Sequence, residues 1–160
     1  TRLMLISHRY LQPLVALCFL MFTPVLQADE ILDIDDAWVA EAPPVAPVMG
    51  GYMKIENETA KAISITRAAC PDFETVEIHE MSMSGGMMKM REIEQLVVPA
   101  NGKVELKPGG YHLMLIKPKK PFKRGDTLTV TLHTADGYSQ AVKMEVKERK
   151  SSDDHQHHHH

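Results

Sequence analysis

Cysteine is scarce in this chain: 160 residues hold two, Cys18 and Cys70, which is too few for a disulfide framework. Positive charge is not in excess either. Lys and Arg total 18 against 21 Asp and Glu, for a formal net charge of -3. Residues 1–28 contain Arg2 and Arg9 but no acid, so the remainder is more acidic still. With no basic stripe, nucleic acid and anionic membrane surfaces are not expected as partners. The apolar stretch 14–22 falls short of the roughly 20 residues a transmembrane helix needs. No nucleophile and base pair, paired acid cluster or phosphate loop stands out, so an enzyme is not expected. No internal repeat is visible, and the length suits one domain with a real core rather than two.

What is present falls into three parts. Arg2 and Arg9 precede the apolar run, and Leu26-Gln27-Ala28 precedes Asp29-Glu30. This is the layout of a secretory signal peptide over residues 1–28, cleaved after Ala28, with an uncleaved anchor as the alternative. Leu17 stands before Cys18 where a lipoprotein site takes a small residue, so lipidation is not expected. Residues 29–149 form the domain. Pro43, Pro44 and Pro47 make 31–48 a lead-in strand followed by an irregular linker. Short alternating runs then recur at 51–56, 62–68, 75–83, 103–106, 111–116, 127–134 and 140–147. Each is of strand length and none sustains a helical period. Asn101-Gly102, Pro108-Gly109-Gly110, Arg124-Gly125-Asp126 and Asp136-Gly137 carry the turn chemistry between them. The pattern predicts an all-β antiparallel β-sandwich or barrel with Greek-key connections, its last two strands pairing Leu128, Val130 and Leu132 with Val142, Met144 and Val146. Residues 150–160 are a polar tail with five of the nine histidines, expected to be disordered. It reads as a native metal-binding tail that would hold Cu(II), Ni(II) or Zn(II) loosely, with an affinity tag as the alternative.

Methionine, at 11 residues, and histidine, at 9, are locally concentrated. In 75–83, Val76 and Ile78 share one face of a strand while His79, Met81 and Met83 share the other. In 111–116, Tyr111, Leu113 and Leu115 oppose His112, Met114 and Ile116. Two strands thus each present a His-x-Met pair on the face turned away from their best core residues. Between them, 82–91 reads as a Gly-Gly loop carrying Met83, Met87, Met88 and Met90, with Met90 re-entering the alternation. Thioether sulfur is a soft ligand, so a neutral site of two histidines and two methionines selects Cu(I) and needs no thiolate. Any one of these residues alone is better read as a core filler or a half-exposed polar group. Their combination reverses that. Cys70 reads as a buried small residue and His133 as a solvent-facing one.

The spacing His79, ten residues, Met90, twenty-one residues, His112, one residue, Met114 resembles the metal-binding pattern of the PCu(A)C family of periplasmic copper chaperones. The surrounding text is similar too, at Val76-Glu77-Ile78-His79-Glu80-Met81, at Met88-Lys89-Met90-Arg91 and from Leu106 through Leu115. The resemblance spans about residues 37–146. It implies a cupredoxin-like sandwich and a periplasmic protein, with His79, Met90, His112 and Met114 as ligands to Cu(I). It also implies acceptors such as cytochrome c oxidase subunit II, reached alongside a Sco-like chaperone, for assembly of the dinuclear copper site. Met81, Met83, Met87 and Met88 are not fixed by the pattern. A monomer is expected, with no membrane attachment once the leader is removed. Copper storage or resistance is the alternative role. Electron transfer by a blue-copper site is a further rival, disfavoured because such sites need a cysteine thiolate within a ligand loop, and Cys70 has none near it.

Overall fold

Alternating apolar and polar residues can bury one face of a strand but not of a helix. A computed structural model of the protein describes residues 30–149 and shows strands throughout, with no helix among the described residues. The expected signal peptide (1–28) and His-rich tail (150–160) lie outside them. In chain order the strands are β1 (Asp33–Ala40), β2 (Val48–Asn57), β3 (Ile63–Ala69), β4 (Phe73–Ser84) and β5 (Met87–Glu92). After these come β6 (Leu96–Val98), β7 (Gly102–Leu106), β8 (Tyr111–Pro118), β9 (Thr127–Thr134) and β10 (Ser139–Lys147).

The strands hydrogen-bond in the order β5-β4-β8-β7-β2-β1-β10-β9-β3-β6, and further β8–β2 and β3–β4 pairings return the sheet to itself. Closure hides most strand edges. The expected all-β, cupredoxin-like sandwich with Greek-key crossovers is therefore what forms, with β1 beside β10 and β3 beside β9 despite their separation in sequence. Two pairings depart from the antiparallel rule: β1 runs parallel to β10, with Val39 opposite Val146, and β7 meets β8 in parallel at Leu106 and Tyr111. Just before β1, the Gln140 amide substitutes for a neighbouring backbone, donating to Leu32 O at 2.7 Å and accepting from Leu32 N at 3.1 Å.

The last hairpin forms in the expected register, with Val142 opposite Val130 and Met144 opposite Leu128, all four buried. With Leu113, Leu115, Ile55 and Ile65 they make up part of one continuous core, each large side chain contributing about 1.5–3 kcal/mol by leaving water. Two strands escape the sequence reading. β6 is only three residues long. β5 is exposed at all six positions, so the Met88–Met90 alternation is its only mark in the sequence, and 82–91 is a tight hairpin rather than a loop. Gly85 and Gly86 both have positive φ, 60° and 76°, as the central pair of a two-residue type I′ turn requires.

Candidate metal centre

β4 lies between β5 and β8, and the registers of these three strands bring the chemistry together. His79 stands directly opposite His112 on β8, and Met81 opposite Met90 on β5. Met114, two residues beyond His112, faces Glu77 on β4 and Gly50 on β2. Because alternate residues share a face, Glu77, His79, Met81, Met83, Met88, Met90, His112 and Met114 all belong to one side of this three-stranded ribbon. The opposite side carries Val76, Ile78, Leu113 and Leu115 into the core.

Both histidines take the strand face turned away from the core residues, as the alternation predicts, yet that face is covered. His79 is 8 % and His112 7 % exposed, their ring centroids 5.6 Å apart. Met81, Met90, His112 and Met114 line a cleft of about 280 Å³ whose far walls include Met49, Tyr52 and Pro108. Strand alternation sets which face a side chain takes, but neighbouring turns decide whether that face is covered. The thioethers grade outward from the imidazoles, with Met81 and Met114 partly buried and Met90 half exposed.

Hydrogen bonds fix the tautomer of each ring. His79 Nε2 donates to Glu77 Oε2 at 2.7 Å, so the neutral form of this ring carries its lone pair on Nδ1, a buried atom with no partner. His112 Nδ1 donates to the Gly110 carbonyl at 3.1 Å, which puts its lone pair on Nε2. A metal-binding imidazole characteristically gives its other N–H to a carboxylate or carbonyl, and both rings do so. A buried acceptor without a partner, such as His79 Nδ1, is costly unless a donor or a metal ion meets it. Burial chiefly holds the His112 imidazole below its ordinary range; the Gly110 carbonyl acts in the other direction and nearby His79 adds to the lowering. At neutral pH that ring is neutral and ready to coordinate.

Glu77 and Gly110 are the functional residues the sequence reading missed. Each stands two positions before the histidine it orients, so period-two alternation carried the signal for Glu77. The Gly110 contact depends on the 107–110 turn, where Gly109 takes φ 83° and Gly110 O also accepts from Met81 N at 3.1 Å. Elsewhere, a larger cleft of about 500 Å³ beside Trp38 and Tyr52 is lined by lysines and carboxylates; its size does not make it the better metal site, because it offers no imidazole. No group of three or more His, Cys, Asp and Glu converges on one point among the described residues. His133 sits apart on β9 between Arg67 Nη2 (3.0 Å) and Ser139 Oγ (2.7 Å). Cys70 is buried, which pushes its thiol upward.

Fold and donor set together define a small β-sandwich that presents imidazole and thioether, rather than carboxylate or thiolate, at one cleft. Residues 32–146 match the family described as "Putative lipoprotein LpqE-like", and the chain belongs to this PCu(A)C-type family. A curated relative from Leifsonia xyli subsp. xyli, named "Putative lipoprotein Lxx21020", is 30% identical over 79% of this chain and 75% of its own length. Among solved structures, that of Cu(I)-bound DR1885 from Deinococcus radiodurans is 32% identical, covering 78% of this chain and 83% of that one, at a TM-score of 0.62. The copper-bound PCuAC domain of PmoF2 shares the fold at a TM-score of 0.63 and 18% identity, over 74% and 94% of the two chains.

Proposed function

We propose that this domain is a copper chaperone that binds one Cu(I) ion through His79, Met90, His112 and Met114 and releases it to other exported proteins. The observation that carries this reading is the facing pair of histidines, each locked by an outer hydrogen bond into a tautomer with one free lone pair. Imidazole and thioether suit Cu(I), and all four donors are neutral. Glu77, bonded to His79, supplies the negative charge that offsets the incoming cation and makes the ring a stronger donor. The Cu(I) carried by DR1885 and the copper in the PmoF2 domain support the choice of metal.

Delivery follows from the gradation of exposure. Met90 stands at the rim, so an acceptor's sulfur or nitrogen replaces that thioether first, while the buried imidazoles hold the ion until a second acceptor ligand arrives. The acceptors in this reading are cytochrome c oxidase subunit II and a Sco-like partner. In this reading the expected leader exports the protein and it works in the periplasm, and the lipoprotein names of its relatives support export. The His-rich tail would gather Cu(II) separately. No catalytic step is assigned to the domain.

Anaerobic Cu(I) titration with X-ray absorption tests the site. One tightly bound ion with mixed nitrogen and sulfur scattering, weakened by His79→Ala and by Met114→Ala, is the expected outcome; binding indifferent to both substitutions rules the site out. Mixing the loaded protein with metal-free subunit II tests delivery, and an acceptor that gains no copper rules out the chaperone role.

A further inference from the structure

The hairpin of β4 and β5 leaves an observation that a single copper site does not use. Met83, Met87 and Met88 are 71 %, 64 % and 51 % exposed, too open to serve as packing, and an edge hairpin normally carries charge at such positions. The register orders them. Met81 faces Met90, and Met83 faces Met88, so two cross-strand thioether pairs follow one another along the face that holds His79. Directly opposed residues have Cβ atoms about 4.5–5.5 Å apart, and positions two apart on one strand are separated by about 6.6 Å. Methionine has three rotatable bonds beyond the backbone, so the sulfurs of Met81, Met83 and Met88 can all reach one point. Met87 pairs with Ser84 and lies on the other face.

The geometry points to a second metal site, formed by the thioethers of Met81, Met83 and Met88, that takes a soft monovalent ion, Cu(I) or its redox-inert analogue Ag(I). Three neutral sulfurs and no nitrogen or oxygen donor select against Zn(II) and Cu(II). The site adjoins the proposed histidine centre through the Met81–Met90 pair and is more exposed, so it exchanges faster and receives the ion before the imidazoles do. Neither binding nor release changes the oxidation state of the ion. The relay role rests on the function proposed above; the binding site itself does not.

The test is an anaerobic NMR titration of the chain carrying 13C-methyl methionine, with Cu(I) as the probe. Past the first equivalent, the methyl signals of Met81, Met83 and Met88 are expected to move while that of Met87 stays still. Met83→Leu with Met88→Leu is expected to reduce thioether-bound stoichiometry from two ions to one, leaving the first step intact, and these exposed positions leave the core untouched. The inference is overturned if the double variant takes up Cu(I) through its methionines as the parent does. It is equally overturned if all the methionine signals saturate together at one equivalent. If Met83 and Met88 respond but Met114 never does, the histidine centre fails and the thioether site stands.

Discussion

His79 and His112 show one device used twice: a histidine on a strand, with the group that orients it two residues earlier. The partner is a carboxylate in one case and a backbone carbonyl in the other, so only one can be removed by mutation. Removing such an outer partner costs roughly 10–100-fold in metal affinity. Glu77→Ala is therefore expected to weaken Cu(I) binding by about that factor, measured by competition with a chromophoric chelator, while the metal-free fold persists because Glu77 is a partly exposed residue. Unchanged affinity would mean that the carboxylate does not tune His79. Asn57 is another residue whose role only the structure displays. Fully buried, it donates to the carbonyls of Lys61, Val98 and Pro99 at 2.8–3.2 Å and accepts from Thr59. Asn57→Ala strands the buried Val98 carbonyl and removes the part-buried bonds to Lys61 and Pro99, and is expected to cost about 1–3 kcal/mol, read as a shift in urea midpoint with unchanged slope.

Among the elements, the 107–110 turn does more for the site than its length suggests. Its carbonyl at Gly110 both orients His112 and pins Met81 N, and the turn closes only because Gly109 takes a left-handed φ. A side chain there costs about 1–2 kcal/mol. Gly109→Ala is expected to lower stability by that amount and to weaken Cu(I) binding as well, whereas an equally destabilising core substitution such as Val130→Ala should leave affinity alone once the protein is folded. Comparing the two by denaturation and chelator competition separates positioning from stability. β5 illustrates why an element can be invisible beforehand. Met87-Met88-Lys89-Met90-Arg91-Glu92 has no buried face, so the alternation of Met88 and Met90 alone does not distinguish strand from loop. Its pairing with β4 is set by the Gly85-Gly86 turn instead.

For the molecule as a whole, the fold holds two imidazoles, His112 on β8 and His133 on β9, below their ordinary value of 6.5, burial being the main cause for each. The unfolded chain then binds protons more readily than the folded one between the lowered values and 6.5, so stability rises with pH across that window. It is complete above about 6.5 and is lost as the pH falls through the folded values. Thermal melts of the metal-free protein between about pH 5 and 7 should show this rise, with part of it removed in His112→Gln. Copper binding should sharpen the dependence, since protons compete for the same ring nitrogens.

Much of this protein follows from its sequence. Period-two alternation and Gly-containing turns determine an all-β domain and the β9–β10 hairpin, because one buried face per strand is enough to specify register. The two His-x-Met pairs fall on one face for the same reason. The tertiary structure decides what alternation does not encode. It seats β1 parallel to β10, builds β5 from a stretch without a buried face, and covers His79 and His112 although their strand face points away from the core. It also lines up Met81, Met83, Met88 and Met90 as facing pairs. These outcomes depend on which strands become neighbours and on which turns fold over them, and contacts between residues distant in the chain leave no periodic trace in it.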